Sequence, residues 1–121
     1  MTSLSEEVQV RCSFDGCDAS IVDRVVLALV DQMCAEVDID IALLDALEFP
    51  LGECLVALHE FDVRSVTVRL DGQILHTEIE LAHPLPDGGL QLGESTDVVE
   101  SFFEVRPSSD TASVSLVGRL G

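Results

Sequence analysis

Apolar residues recur along this chain with two different periods, and turn signals close each stretch. Val8, Val10, Cys12 and Phe14 alternate with polar neighbours, which predicts a half-buried strand ended by Asp15-Gly16. Ile21, Val22, Val25, Val26, Leu29, Val30 and Met33 then form a stripe at helical spacing. Asp23, Arg24, Asp31 and Gln32 lie opposite that stripe, and Asp18 or Ser20 can cap the helix. Asp38 or Asp40 opens a second helical region that runs to about Phe61, with Leu44, Leu47, Leu51, Leu55 and Leu58 on one side. An interruption or kink is expected at Phe49-Pro50, because proline has no backbone donor.

The second half of the chain switches to the strand period. Val66, Val68 and Leu70, then Asp71-Gly72, then Ile74, Thr77, Ile79 and Leu81 predict an antiparallel hairpin. The span Ala82 to Ser95 is rich in proline and glycine and reads as a loop, followed by a short helical turn at Asp97 to Ser101. Phe102 to Arg106 and Ala112 to Val117, on either side of Pro107-Ser108-Ser109-Asp110, predict a second hairpin with Val114 and Leu116 on one face. The order β-α-α-β-β-β-β predicts an α+β fold: a two-layer sandwich of two helices packed on a mostly antiparallel sheet. One domain is expected over residues 1–121, with 1–7 flexible.

Charge changes the picture more than composition does. A chain of 121 residues that is 47% hydrophobic can bury a core without disulfides or metal. Its six cationic side chains are all arginine, and its 23 carboxylates bring the formal net charge to -17. Such a field repels phosphate backbones and anionic lipid, so neither nucleic acid nor membrane is an expected partner. Two readings remain, a solvated surface that confers solubility or a docking surface for a basic protein.

There is no run of about 18 apolar residues, and Met1 to Gln9 carry acids without an apolar core. Export and membrane insertion are therefore not expected, and the reading is cytoplasmic. Cys12, Cys17, Cys34 and Cys54 include no CxxC pair and have no nearby histidine partner in sequence. They are expected to be free thiols in a reducing compartment, with no metal site. His59 and His83 lack ligand-spaced partners and read as partly exposed histidines. Asp87-Gly88-Gly89 with Gly93 reads as a flexible loop, because no long helix and no Lys-Ser or Lys-Thr follows it.

Several segments together resemble a known family: the helix Ile21 to Met33, the segment Leu51 to Phe61, the hairpin Val66 to Leu81, and the closing strands Ser101 to Val105 and Ser113 to Leu116. In order and spacing they resemble the GHKL, or histidine-kinase-like, ATPase fold, and in detail the anti-sigma-factor serine kinases. That family carries E-x-x-x-N-A-x-x-H on its second helix, where the acid polarises the attacking hydroxyl and the asparagine holds magnesium. Here Glu53 matches the acid, but Ala57, Leu58 and Phe61 occupy the other positions. Alanine and leucine offer no oxygen to a hard cation. The family's D-x-G-x-G motif falls on Leu81, His83 and Leu85. Shifted by six residues it finds Asp87 and glycines, but Gln91 stands in place of the last glycine. The span Ala82 to Val99, where the family has its nucleotide lid, has no lysine or arginine to meet a phosphate.

The resemblance thus implies a degenerate relative without cofactor or metal and without a catalytic residue, Glu53 being at most a vestigial one. It implies a non-catalytic regulatory or adaptor protein whose partner is a sigma factor or an anti-sigma antagonist. Family members commonly dimerise and present the first helix to partners, where an arginine helps the switch; Arg24 is the nearest match. The candidate partner-binding residues are therefore Asp23, Arg24, Asp31 and Glu36, together with the outward member of Phe102-Phe103. Two alternatives stay open: a residual ATP-dependent serine kinase using Glu53, and a small acidic secretion-type chaperone.

Overall fold

Strand alternation and helical stripe resolve into two layers in the computed structural model, which describes residues 8–14, 18–35, 41–85, 92–108 and 112–119. Several expectations lie outside the described residues: the flexible 1–7, the turn at Asp15-Gly16, Cys17, Glu36, the caps Asp38 and Asp40, Asp87-Gly88-Gly89 with Gln91, and the second half of the turn expected at Pro107-Ser108-Ser109-Asp110, of which Pro107 and Ser108 instead pair with Val114 and Ser113 as strand residues. The elements are β1 (Val8–Ser13), α1 (Ala19–Ala35), α2 (Ile41–Leu58), β2 (Val63–Asp71), β3 (Ile74–Leu81), α3 (Thr96–Phe102), β4 (Phe103–Ser108) and β5 (Ser113–Arg119). Short 3₁₀ turns at His59–Phe61 and Gly93–Ser95 follow α2 and precede α3. The strands form one sheet in the order β1-β2-β3-β5-β4, and every neighbouring pair is antiparallel. This is the expected α+β sandwich, and the short turn expected at Asp97 to Ser101 is its third helix.

Register decides which side chains meet the helices. Val10, Val68, Thr77, Leu116 and Val105 share one row across the sheet, and Cys12, Val66, Ile79 and Val114 share the next. Their helical partners in the core are Val22, Val26, Val30 and Met33 of α1, Leu47, Leu51, Leu55 and Leu58 of α2, and Val99 of α3. Because successive strand residues face opposite sides, the same register sends Arg11, Thr67, Glu78, Ser115 and Arg106 to the other face, which no helix among the described residues covers.

α2 stays helical through Pro50 instead of breaking there. An interior proline costs about 3 kcal/mol and a glycine such as Gly52 about 1 kcal/mol relative to alanine. Each of the four fully buried leucines returns about 2 kcal/mol, so core burial outweighs local propensity. The hairpin turn is likewise specific: Asp71 pairs with Ile74, leaving Gly72 and Gln73 as the loop, and Gly72 takes φ +61°.

The connection from β3 to β4 sets the third helix in place. β3 ends at Leu81, whereas β4 begins at Phe103, opposite Gly118 and so level with Leu75 at the other end of the sheet. The chain must therefore run back along the length of the sheet, and α3 is the segment that makes the return. In the helical layer α2 contacts both α1 and α3.

Candidate functional site

The helix-motif residues occupy ordinary structural positions. Glu53 projects from α2 toward the turn before α3, where its Oε1 accepts a hydrogen bond from Ser95 Oγ. One turn on, Ala57 is half-buried and Leu58 fully buried, while Phe61 packs against the edge of the core. At the end of β3, Leu81 is buried, His83 is exposed and Leu85 is half-buried. The backbone there is tied back to the turn after α2: Ala82 N–H donates to Asp62 C=O at 2.8 Å and His83 N–H to Phe61 C=O at 3.2 Å. His83 Nε2 lies 3.3 Å from Asp62 Oδ2 at the surface. Among the described residues no three His, Cys, Asp or Glu side chains converge as metal ligands would.

The partner candidates separate once the helices are packed. Arg24 and Asp31 are exposed on α1. Asp23 is only half-exposed, and its Oδ1 lies 2.8 Å from Nε2 of His59 on the turn after α2. It is a link between helices as much as a surface charge. Phe103 is 2% exposed and lies against Gly118, so it belongs to the core, and Phe102 at the end of α3 is half-buried against that core. The outward phenylalanine expected from alternation is absent because Phe102 is the last residue of a helix, not the first of a strand.

The two faces of the sandwich differ sharply in charge. On the helical face, α1 carries Asp23 and Asp31, α2 carries Asp45, Glu48 and Glu53, and α3 carries Asp97 and Glu100; Arg24 is the lone guanidinium in these helices. On the open face of the sheet lie Arg11, Arg69, Arg106 and Arg119, with Arg64 beside them at the end of β2. Arginine there alternates with carboxylate: Arg11 lies 3.9 Å from Glu80, and Arg106 donates to Glu104 at 2.7 Å. The hydrogen bond from Arg106, and then its charge, hold the Glu104 carboxyl below its ordinary range. Short side chains such as Ser65, Thr67, Ser113 and Ser115 leave a shallow trough of about 660 Å³ on this face.

Sequence reasoning missed the most exposed apolar side chains of the helical layer. Phe49 is 59% exposed and Val56 53% exposed, both on the outward ridge of α2. A signal was present: the two stand seven residues apart, directly opposite the leucine stripe.

No protein-family model matches this chain, and no curated protein is similar to it at a significant level. Among the described residues no helix is long and apolar enough to cross a membrane.

Proposed function

We propose that this protein is a cytoplasmic, non-catalytic regulatory or adaptor domain that acts by binding another protein, in a switch of the sigma-factor and anti-sigma type. The observation that carries the reading is the one-sided charge of the fold. The helical layer presents carboxylates from α1, α2 and α3 against a single guanidinium, Arg24, whereas the other arginines lie on the opposite face. A surface of one sign steers a partner of the other sign and rejects like-charged competitors. The partner is a sigma factor or an anti-sigma antagonist that meets the exposed side of α1 at Arg24 and Asp31.

The chemistry at α2 favours binding over phosphoryl transfer. Ala57 has no side-chain atom that could hold magnesium, and the carboxylate of Glu53 is already engaged by Ser95. The degenerate GHKL reading accounts for both, as a fold kept for its surface after its nucleotide motifs were lost.

Capture from extracts of the native host tests the proposal. The wild-type chain should retain a sigma factor or its antagonist, and the double variant Arg24→Glu, Asp31→Arg should lose it. Retention should weaken as salt shortens the Debye length below about 8 Å. Saturable, magnesium-dependent binding of ATP at micromolar concentration would replace the proposal with the kinase reading. Capture of a secreted protein instead would favour the chaperone.

A further inference from the structure

The outward ridge of α2 has three properties that its own fold does not require. The first is apolar exposure. Phe49 and Val56, at positions i and i+7, lie on one side of the helix about 10 Å apart along its axis. Neither is needed for the core, which α2 already fills with Leu47, Leu51, Leu55 and Leu58.

The second is a notch. Gly52 lies between them on the same ridge, and a Cβ added there would meet nothing within 4 Å. Glycine in a helix interior weakens it by about 1 kcal/mol relative to alanine, and no neighbour in this chain needs the space. What the missing side chain permits is close approach of a second backbone from outside. Two residues earlier, Pro50 has no N–H to give the carbonyl of Ala46, so that carbonyl lacks its usual helical donor.

The third is a rim of one sign. Asp45 and Glu48 flank Phe49, Glu53 lies beside Gly52, and Glu60 follows Val56 in the 3₁₀ turn; α2 carries no lysine or arginine. An apolar centre with a charged rim is the anatomy of a protein interface, where buried aromatic anchors carry most of the energy and rim charges select the partner.

We infer that this ridge is a docking site for a basic amphipathic helix of a partner protein. The helix would lay apolar side chains on Phe49 and Val56, cross α2 at Gly52, and bring lysine or arginine to the exposed Asp45, Glu48 and Glu60. Charge decides against the other occupants. A second copy of this chain pairing ridge to ridge would set these carboxylates against their own copies without a cation between them. Anionic lipid and nucleic acid are repelled for the same reason. The inference rests on the protein-binding reading above and deepens it by naming the partner's chemistry, at a ridge of α2 whose Glu48 lines the same small hollow as Asp31 of α1.

The test uses the full chain and a labelled synthetic helix of about four turns, with leucines on one face and arginines along both flanks, read by fluorescence anisotropy. Wild-type protein should bind it saturably at one-to-one stoichiometry. Phe49→Ala and Gly52→Gln should each weaken binding at least tenfold, the latter by filling the notch. A peptide of the same composition with its apolar face scrambled should bind at least tenfold more weakly. All substituted positions are free of core contacts, so circular dichroism and the unfolding midpoint should show a folded protein in every case. Equal binding by wild type and both variants would overturn the proposal, and so would equal binding of the scrambled peptide. A wild-type dimer in sedimentation that Phe49→Ala converts to monomer would overturn it too, by assigning the ridge to a second copy. If a host partner is captured equally by wild type and Phe49→Ala, but not by the Arg24 and Asp31 double variant, the ridge proposal fails while the protein-binding reading stands.

Discussion

Nε2 of His59, in the turn that ends α2, lies 2.8 Å from Oδ1 of Asp23 on α1. The contact joins the C-terminal end of one helix to the second turn of the other, and both side chains are partly withdrawn from solvent. It separates two aspartates that look equivalent on the outer stripe of α1. Asp23→Ala should lower stability by about 1 kcal/mol, the usual net contribution of one hydrogen bond. Asp31→Ala should change it by less than about 0.5 kcal/mol, as exposed substitutions generally do. Urea unfolding of the two variants side by side measures the difference. For the same reason Asp31, and not Asp23, is the residue to reverse when the acidic surface is probed.

Gly118 on β5 is held to glycine by the ring of Phe103. A Cβ there would lie 2.9 Å from Cδ1 and Cε1 of that ring and 3.0 Å from the carbonyl oxygen of Phe102. The ring is packed and the carbonyl belongs to the backbone, so neither can withdraw cheaply. Gly118→Ala should destabilise the protein by about 1–3 kcal/mol. A fall in the thermal midpoint, restored in part by Phe103→Leu in the same chain, would identify the clash as the cause.

Thr77 occupies the middle of the core face between Val68 and Leu116, and its buried Oγ1 has no hydrogen-bond partner. A hydroxyl desolvated without compensation weakens the fold. Thr77→Val removes the hydroxyl and keeps the branched shape, so it should raise unfolding stability by about 1 kcal/mol. Chemical denaturation with an unchanged slope would show that the gain lies in stability and not in compactness.

Cys34 and Cys54 are buried free thiols. Burial pushes the Cys34 thiol up to about 11, with Asp31 adding to the effect, and the Cys54 thiol up to about 12, with Glu53 adding. In the unfolded chain both would ionise near 9. Above that pH the native state therefore binds more protons than the unfolded state. The stabilising contribution is complete below about 9 and is lost as pH rises toward 11 and 12. Unfolding measured at pH 8 and at pH 10.5 should show lower stability at the higher pH. In native protein a thiol reagent at neutral pH should spare Cys34 and Cys54, while half-buried Cys12 reacts faster; both should become reactive on unfolding.

Gly52→Ala provides a counterpart to the docking variants. A methyl group there meets no neighbour, and alanine is the better helix former, so stability should rise by up to about 1 kcal/mol. Thermal unfolding checks it. A loss instead would mean that the helix needs glycine for its own packing, and the notch would then have a structural origin.

Both hairpins, both long helices and the two-layer sandwich could be read from the chain because each rests on a local rule. Alternation along Val66 to Leu70 and Ile74 to Leu81 specifies the inner face of two strands. Asp71-Gly72 places the turn to within one residue, and the stripe from Val22 to Met33 specifies the buried side of α1. The candidate surface was less legible. Arg24 and Asp31 lie outside, as the stripe requires, but Asp23 is drawn into a contact with a histidine 36 residues away, and no local pattern encodes that pairing.

What the sequence determined by itself is the identity and period of the elements, the net charge of -17, and which side of each helix is apolar, since these depend on neighbours within a few residues. Only the tertiary structure decided where the charges fall. The strand order β1-β2-β3-β5-β4 brings Arg11, Arg69, Arg106 and Arg119 from four strands onto one open face, and the helices carry their carboxylates to the other. It also decided that Pro50 does not end α2, because the leucines around it are buried by the sheet and by α1. Phe49, Gly52 and Val56 were thereby left facing outward together. Such outcomes depend on contacts distant in sequence, whose energies of several kcal/mol exceed the local propensities that oppose them.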